Sequence, residues 1–184
     1  MLAYVFWHWP QPQVDVSDYE ARLRDFQKTL RDHPPPGFRG SVVFRVSGAP
    51  WIQAQRGYED WYLVEGSVAL DPLNDAAIAP ACRAAHDAAA RLAAGGTAGL
   101  YRLRAGQAAL AEVKFSSWFG KPAGMLYDDF YTLLAPVTAR PGVALWGRQM
   151  TLGPTPEFCL HSAAPFELPA NLRVQRVTLQ RLQD

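Results

Sequence analysis

His161 and His8 are the side chains in this sequence best suited to move a proton, because an imidazole titrates near neutral pH. His161 sits in Phe158-Cys159-Leu160-His161 and His8 in Phe6-Trp7-His8-Trp9, both apolar, β-forming runs. Neither stands next to an acid or nucleophile in a motif, so the structural reading outweighs the catalytic one for His161, and His8 lies at a strand end where it reads as core or as pocket rim. His33, ahead of Pro34-Pro35-Pro36, reads as a surface residue at a helix end, and His86, in an Ala-rich run, as a partly exposed structural one. No two histidines have metal-ligand spacing, and Cys82 and Cys159 form no CxxC. Neither a metal nor a cofactor is therefore expected, and both thiols read as reduced and buried.

A second group has the chemistry of a binding surface. Successive residues of a strand point to opposite faces, and the more apolar parity is expected beneath helices. Val42, Phe44 and Val46 take that side in one strand, Val113 and Phe115 in another, then Phe158 with Leu160 and Val177 with Leu179. Arg45, Lys114, Trp118, His161 and Arg176 are left on the other face, where Trp7, Trp9, Trp146 and Arg148 are also assigned. Should two such faces meet, Trp7, Arg45, Trp61, Lys114, Trp118, Trp146 and Arg148 would line a ligand site, with Arg102 nearby. Indole walls bury a flat apolar body and guanidinium groups bind an anionic end. The plainer reading is core tryptophans and solvated arginines.

Two further features carry weaker signals. Gly120-Lys121-Pro122 before a helix could hold a phosphate but lacks the length of a P-loop. Pro50-Trp51-Ile52, in a long connection, reads as a lid or a subunit contact.

These side chains need elements to hold them. Leu2–Trp9 reads as a strand ending at Pro10. Ser17-Asp18-Tyr19-Glu20 has the form of a capping box, and Tyr19, Leu23, Phe26 and Leu30 then fall on one helical face. Ser41–Val46 and Asp60–Val64 are strands. Asp71-Pro72 opens an Ala-rich helical stretch that Pro80 splits and Gly95-Gly96 stops. Thr97–Arg104 is a fourth strand, which completes β-α-β-β-α-β. The order then begins again: a strand over Glu112–Trp118, a helix over Leu126–Leu134 and strands over Val143–Met150, Glu157–Ser162 and Val174–Leu182. The second helix is reduced to Ala163–Asn171, and a turn over Gly153-Pro154-Thr155-Pro156 joins two of the strands.

Residues echo between the halves. Phe6-x-x-Trp9 answers Phe115-x-x-Trp118, Tyr19-Glu20 answers Tyr127-Asp128, and Pro36-Gly37 answers Pro141-Gly142. The expected fold is α+β: two tandem ferredoxin-like βαββαβ repeats, 1–105 and 106–184, packed as one α/β-barrel. In element order the chain resembles the dimeric α/β-barrel superfamily. Tyr127-Asp128-Asp129-Phe130-Tyr131 followed by Pro141-Gly142-Val143 is similar to its EthD and NIPSNAP branches. Those branches often carry a histidine late in this helix, where the sequence has Leu133, Leu134 and Ala135. The resemblance implies a small-molecule protein of the kind that includes cofactor-free monooxygenases and lyases, with His161 or His8 as base.

Composition bounds the alternatives. Hydrophobic residues make up 49% of the 184, enough for a large core, and the net charge of +1 gives no general attraction to nucleic acid or anionic membranes. The third strand, Tyr58-Glu59-Asp60-Trp61-Tyr62, lacks the basic, glycine-bearing start of an RNA-binding RNP1 motif. No apolar run approaches a membrane span and the N-terminus has no signal-peptide pattern, so a cytoplasmic location is expected. A small-molecule ligand is the expected partner, with a homodimer open. A non-enzymatic binding or sensing barrel competes with the enzyme, and scaffolding and RNA binding rank lower.

Overall fold

In a computed structural model, which describes residues 1–52, 54–151 and 154–182, eight strands form one closed antiparallel barrel with helices outside it. The strands are β1 (Leu2–Pro10), β2 (Phe38–Ser47), β3 (Gly57–Val64), β4 (Ala93–Gly106), β5 (Phe115–Phe119), β6 (Ala144–Thr151), β7 (Phe158–Ser162) and β8 (Gln175–Arg181). The four α-helices are α1 (Val16–Asp32), α2 (Leu70–Ile78), α3 (Pro80–Ala90) and α4 (Tyr127–Thr138). Around the barrel the order is β1-β3-β2-β8-β5-β7-β6-β4, closing back onto β1. The pairings of β2 with β8 and β4 with β6 join the first four strands to the last four, so neither set closes by itself. Gly153, in the expected turn between β6 and β7, lies outside the described residues.

Local chemistry explains most of the boundaries. Asp15, rather than Ser17, caps α1: its carboxylate accepts the backbone N–H groups of Ser17 and Asp18. Pro80 begins α3 and holds its predecessor Ala79 in an extended conformation, so α2 ends at Ile78. Gly95 and Gly96 are not a helix stop. They lie inside β4, and a Cβ at Gly96 would fall 2.4 Å from the Phe6 ring. Pro136 sits within the last turn of α4 instead of terminating it.

The barrel interior is packed solid. Trp7, Trp61, Trp118, Trp146 and Tyr101 are all fully buried there, with Trp7 and Trp118 ring centres 5.5 Å apart and Trp61 and Trp146 5.2 Å apart. An eight-strand barrel has room for its own side chains or for one small ligand, and here five large aromatics occupy that room. Trp51 and Ile52 are buried against this cluster, Trp51 edge-on to Trp118 at 5.2 Å, so they form part of the packing and not an exposed lid.

Outside the wall the two sides differ. Beneath α4, Phe119, Phe130, Phe158, Leu160 and Leu172 make a dense layer, and residues 163–174 run to β8 without a helix. On the other side α2 and α3 are rich in alanine, and the layer between α1–α3 and the wall is not filled.

Candidate functional site

The unfilled space is a cavity of about 520 Å³ between α1–α3 and the outer face of β1, β3 and β4. Its size follows from residue volume. Ala77, Ala89, Ala90, Ala93, Ala98 and Gly99 stand where larger side chains would meet the aromatic wall of Phe6, Phe26 and Tyr62. Close packing needs that volume filled, so small residues on both layers leave a void of ligand size.

A chain of polar groups crosses the floor of this cavity. His8 Nδ1 lies 2.6 Å from Tyr19 Oη and His8 Nε2 3.0 Å from Asp60 Oδ1. Tyr62 donates its hydroxyl to Asp60 Oδ2 at 2.8 Å, and Gln27 Nε2 reaches Tyr62 Oη at 3.2 Å while its Oε1 accepts from Ser41. The imidazole is clamped between Phe6 and Tyr58, with ring centres at 5.3 and 5.6 Å.

The network sets the tautomer. An ionised Asp60 only accepts, so neutral His8 carries its hydrogen on Nε2 and presents a lone pair at Nδ1. Tyr19 therefore donates to His8, and its own oxygen keeps lone pairs for another partner. Burial, followed by the nearby Asp60 charge, pushes the Tyr19 and Tyr62 hydroxyls well above the usual phenol range. Tyr19 is thus a poor phenolate. It can still pass a proton on, losing its own to His8 while accepting one, with Asp60 stabilising the imidazolium.

Among the expected catalytic residues, His8 is at the cavity and His161 is not. His161 faces the barrel interior, fully buried, with its ring 4.3 Å from Trp61. Neither of its ring nitrogens has a hydrogen-bond partner among the described residues, and burial pushes its pKa down to about 3. A neutral, enclosed imidazole of this kind meets no ligand in the cavity.

The expected ligand-binding set is divided by the wall. Trp7, Trp61, Trp118 and Trp146 do face inward, but into packed core and not an open cavity. Arg45 lies on the outer face, where Nε and Nη2 donate to Glu20 at 3.0 and 2.5 Å. Lys114 and Arg148 are exposed, Arg148 reaching the Thr155 carbonyl at 3.2 Å. The expected enclosure of these cations by the two sheet faces is corrected accordingly. The cause is a parity error: Val42, Phe44, Val46, Val177 and Leu179 belong to the barrel core, which turns Arg45 and Arg176 outward.

Lys121 bonds the carbonyl of Met125 and lies 5.0 Å above the Tyr127 ring, so its ammonium is engaged within the chain.

The fold has solved counterparts. A provisionally assigned monooxygenase from Lactobacillus acidophilus NCFM superposes with a TM-score of 0.54 at 10% identity, over 98% of this chain and 93% of that one. An anthrone oxidase-like protein gives a TM-score of 0.49 at 9% identity, over 97% and 91%. No family model and no curated protein matches the sequence. The likeness to the monooxygenase from Lactobacillus acidophilus concerns the fold alone, an α+β chain with an eight-strand barrel. No described helix is long and apolar enough to cross a membrane, and the described residues hold no cluster of three or more metal-ligating side chains.

Tyr19, Asp60 and Tyr62 escaped the sequence reading. One signal was available: Tyr58, Asp60 and Tyr62 alternate on one face of a strand in which all eight residues are buried. A buried carboxylate needs donors, and Tyr62, two residues away on the same face, supplies one, while Tyr58 donates to Glu20.

Proposed function

We propose that this protein is a small-molecule enzyme that binds a largely apolar, hydroxylated ligand in the α1–α3 cavity and deprotonates it through Tyr19, His8 and Asp60. The observation that carries this is the Tyr19–His8–Asp60 chain on the floor of a cavity of about 520 Å³ with largely apolar walls. The ligand hydroxyl donates to Tyr19 Oη, the Tyr19 proton passes to His8, and the resulting imidazolium faces Asp60. Removing a proton from an electron-rich aromatic is the protein's share of cofactor-free oxygenation, in which dioxygen is the co-reactant, and equally of a lyase step. The barrel it shares with a provisionally assigned monooxygenase is compatible with either.

We also read the barrel as a duplicated ferredoxin-like unit. The orders β4-β1-β3-β2 and β8-β5-β7-β6 support this, since each places the four strands of one half in the same sequence.

One observation favours a binding protein without turnover: both nitrogens of His8 already have protein partners. A thermal-shift screen of hydroxylated aromatics, followed by product analysis in air without added cofactor, separates the two. The expected result is a stabilising compound that is consumed, with turnover at least about 100-fold slower in His8→Gln and Asp60→Asn. Stabilising compounds recovered unchanged would favour the binding protein. Turnover unaffected by both substitutions would remove the relay.

A further inference from the structure

Building on the reading of the cavity as the binding site, we infer that it takes its ligand uncharged and as a hydrogen-bond donor, and excludes anions. The titratable lining supplies the first reason. The cavity carries the carboxylates Asp60 and Asp71 and the imidazoles His8 and His86, and none of its lining residues is Lys or Arg. His86 is itself 3.2 Å from the Asp87 carboxylate, so any positive charge it acquires is already matched. A bound carboxylate or phosphate would leave water to face Asp60 with no dedicated cation, and an unpaired buried charge is strongly disfavoured.

Hydrogen-bond polarity supplies the second reason, independent of charge. With the His8 hydrogen on Nε2, Tyr19 directs its own hydrogen at the free Nδ1, 2.6 Å away, and Tyr62 directs its hydrogen at Asp60. The Tyr19 oxygen therefore offers its lone pairs to the cavity, and the Tyr62 oxygen keeps one beside the bond it accepts from Gln27, with both hydrogens turned into the network. A ligand O–H or N–H finds an acceptor there. At these two oxygens an ether, ketone or carboxylate oxygen meets lone pairs with lone pairs.

The raised Tyr4 and Tyr62 hydroxyls fit this description, since after burial the Asp60 charge is the next contributor at both. The Arg45, Lys114 and Arg148 cations, on which an anionic ligand end was expected to rest, are not among the residues lining the cavity.

Calorimetric titration at pH 7 with three probes of one ring system tests the idea: 2-naphthol, 2-methoxynaphthalene and 2-naphthoate. Ala89→Leu, which fills the cavity, serves as the control for location. The expected order is naphthol tightest, the ether several-fold weaker and naphthoate at least tenfold weaker than naphthol, with naphthol binding lost in Ala89→Leu. Naphthoate or the ether binding as tightly as naphthol, in a manner abolished by Ala89→Leu, would overturn the inference and leave the cavity as the site. Failure of all three to bind, or binding indifferent to Ala89→Leu, would overturn the cavity reading and the inference together.

Discussion

Glu59 and Asp60 are consecutive residues of β3 whose carboxyl groups lie on opposite sides of the barrel wall. Glu59 points inward and accepts the indole N–H groups of Trp7 at 2.7 Å and Trp61 at 2.5 Å. Asp60 points outward and accepts from His8 and Tyr62 beneath the helices. Strand alternation alone separates them, and it gives two neighbouring acids different tasks. Asp60 stands at the cavity with a histidine beside it. Glu59 stands in dry core, where burial pushes its pKa up to about 7 against the lowering effect of its two indole donors.

That difference should appear in stability. Glu59 titrates near 7 when folded and near 4.5 in its ordinary state. Between those values the folded protein keeps a proton that the unfolded chain has lost, so stability falls as pH rises through the window. The loss contributed by Glu59 is about 3 kcal/mol and is complete above the folded pKa. Glu59→Gln removes the titration. Urea unfolding of both proteins from pH 4 to 8 is expected to show the wild type losing ground against the variant up to about pH 7. A constant difference would count against a buried, proton-holding Glu59.

His161 has the opposite sign. Its folded pKa is lowered from 6.5 to about 3, so its stabilising contribution is present above pH 6.5 and is lost as pH falls toward 3. The shift corresponds to about 5 kcal/mol across that range. Where the two windows overlap, between pH 4.5 and 6.5, the His161 and Glu59 slopes oppose each other. His161→Phe is therefore expected to unmask the Glu59 decline and Glu59→Gln the His161 loss on acidification. His161→Phe also removes two ring nitrogens that lack partners among the described residues. An unchanged acid limb in the His161→Phe denaturation profile would show that the ring is solvated.

How much of this was legible beforehand depends on which periodicity was being read. Strand and helix positions followed local signals: Pro10 at the end of β1, the Tyr19-Leu23-Phe26-Leu30 stripe on α1, and Pro80 at the start of α3. The facing of strands did not. In β8 the outward residues Arg176, Thr178 and Gln180 are exposed and only the inward Val177 and Leu179 are buried, and in β2 the inward Val42, Phe44 and Val46 are the more apolar set, so the apolar parity marks the barrel interior and not the helix side. Val42, Phe44 and Val46 entered the core on that account, and Arg45 went to Glu20. His8 was legible as a candidate because a histidine in an apolar strand is conspicuous. Its partners were not, since Tyr19 and Asp60 lie 11 and 52 residues away and meet it only when α1 packs over β1 and β3.

Arg45 offers a direct check on the corrected facing. Its guanidinium bonds Glu20, which also accepts from Tyr58 at 2.9 Å, and reaches Gln180 at 2.9 Å. The Arg45 side chain is 38% exposed, so solvent screens the pair, and Arg45→Ala is expected to cost about 1 kcal/mol. Naphthol affinity in the cavity should be unchanged, because Arg45 does not line it. An affinity loss greater than the stability loss would return Arg45 to the ligand.

Asp60 makes the sharpest demand on the site. Its carboxylate accepts from His8 on one oxygen and from Tyr62 on the other, with both side chains buried. Asp60→Asn keeps the shape and replaces one acceptor by an N–H₂ group. Whichever way the amide turns, one donor faces another donor: His8 must move its hydrogen to Nδ1, or Tyr62 must turn its hydroxyl away. Leaving such a buried group mismatched costs about 1–3 kcal/mol. If His8 yields, its Nδ1 becomes a donor and Tyr19 must reverse, so the lone pairs offered to the ligand are lost as well. Nitrogen-15 NMR of the imidazole is expected to report the Nε2–H tautomer in the wild type. In Asp60→Asn it should show a shift toward Nδ1–H, accompanied by weaker naphthol binding. A wild-type His8 found with its hydrogen on Nδ1 would reverse the direction of the chain and remove Tyr19 as the acceptor.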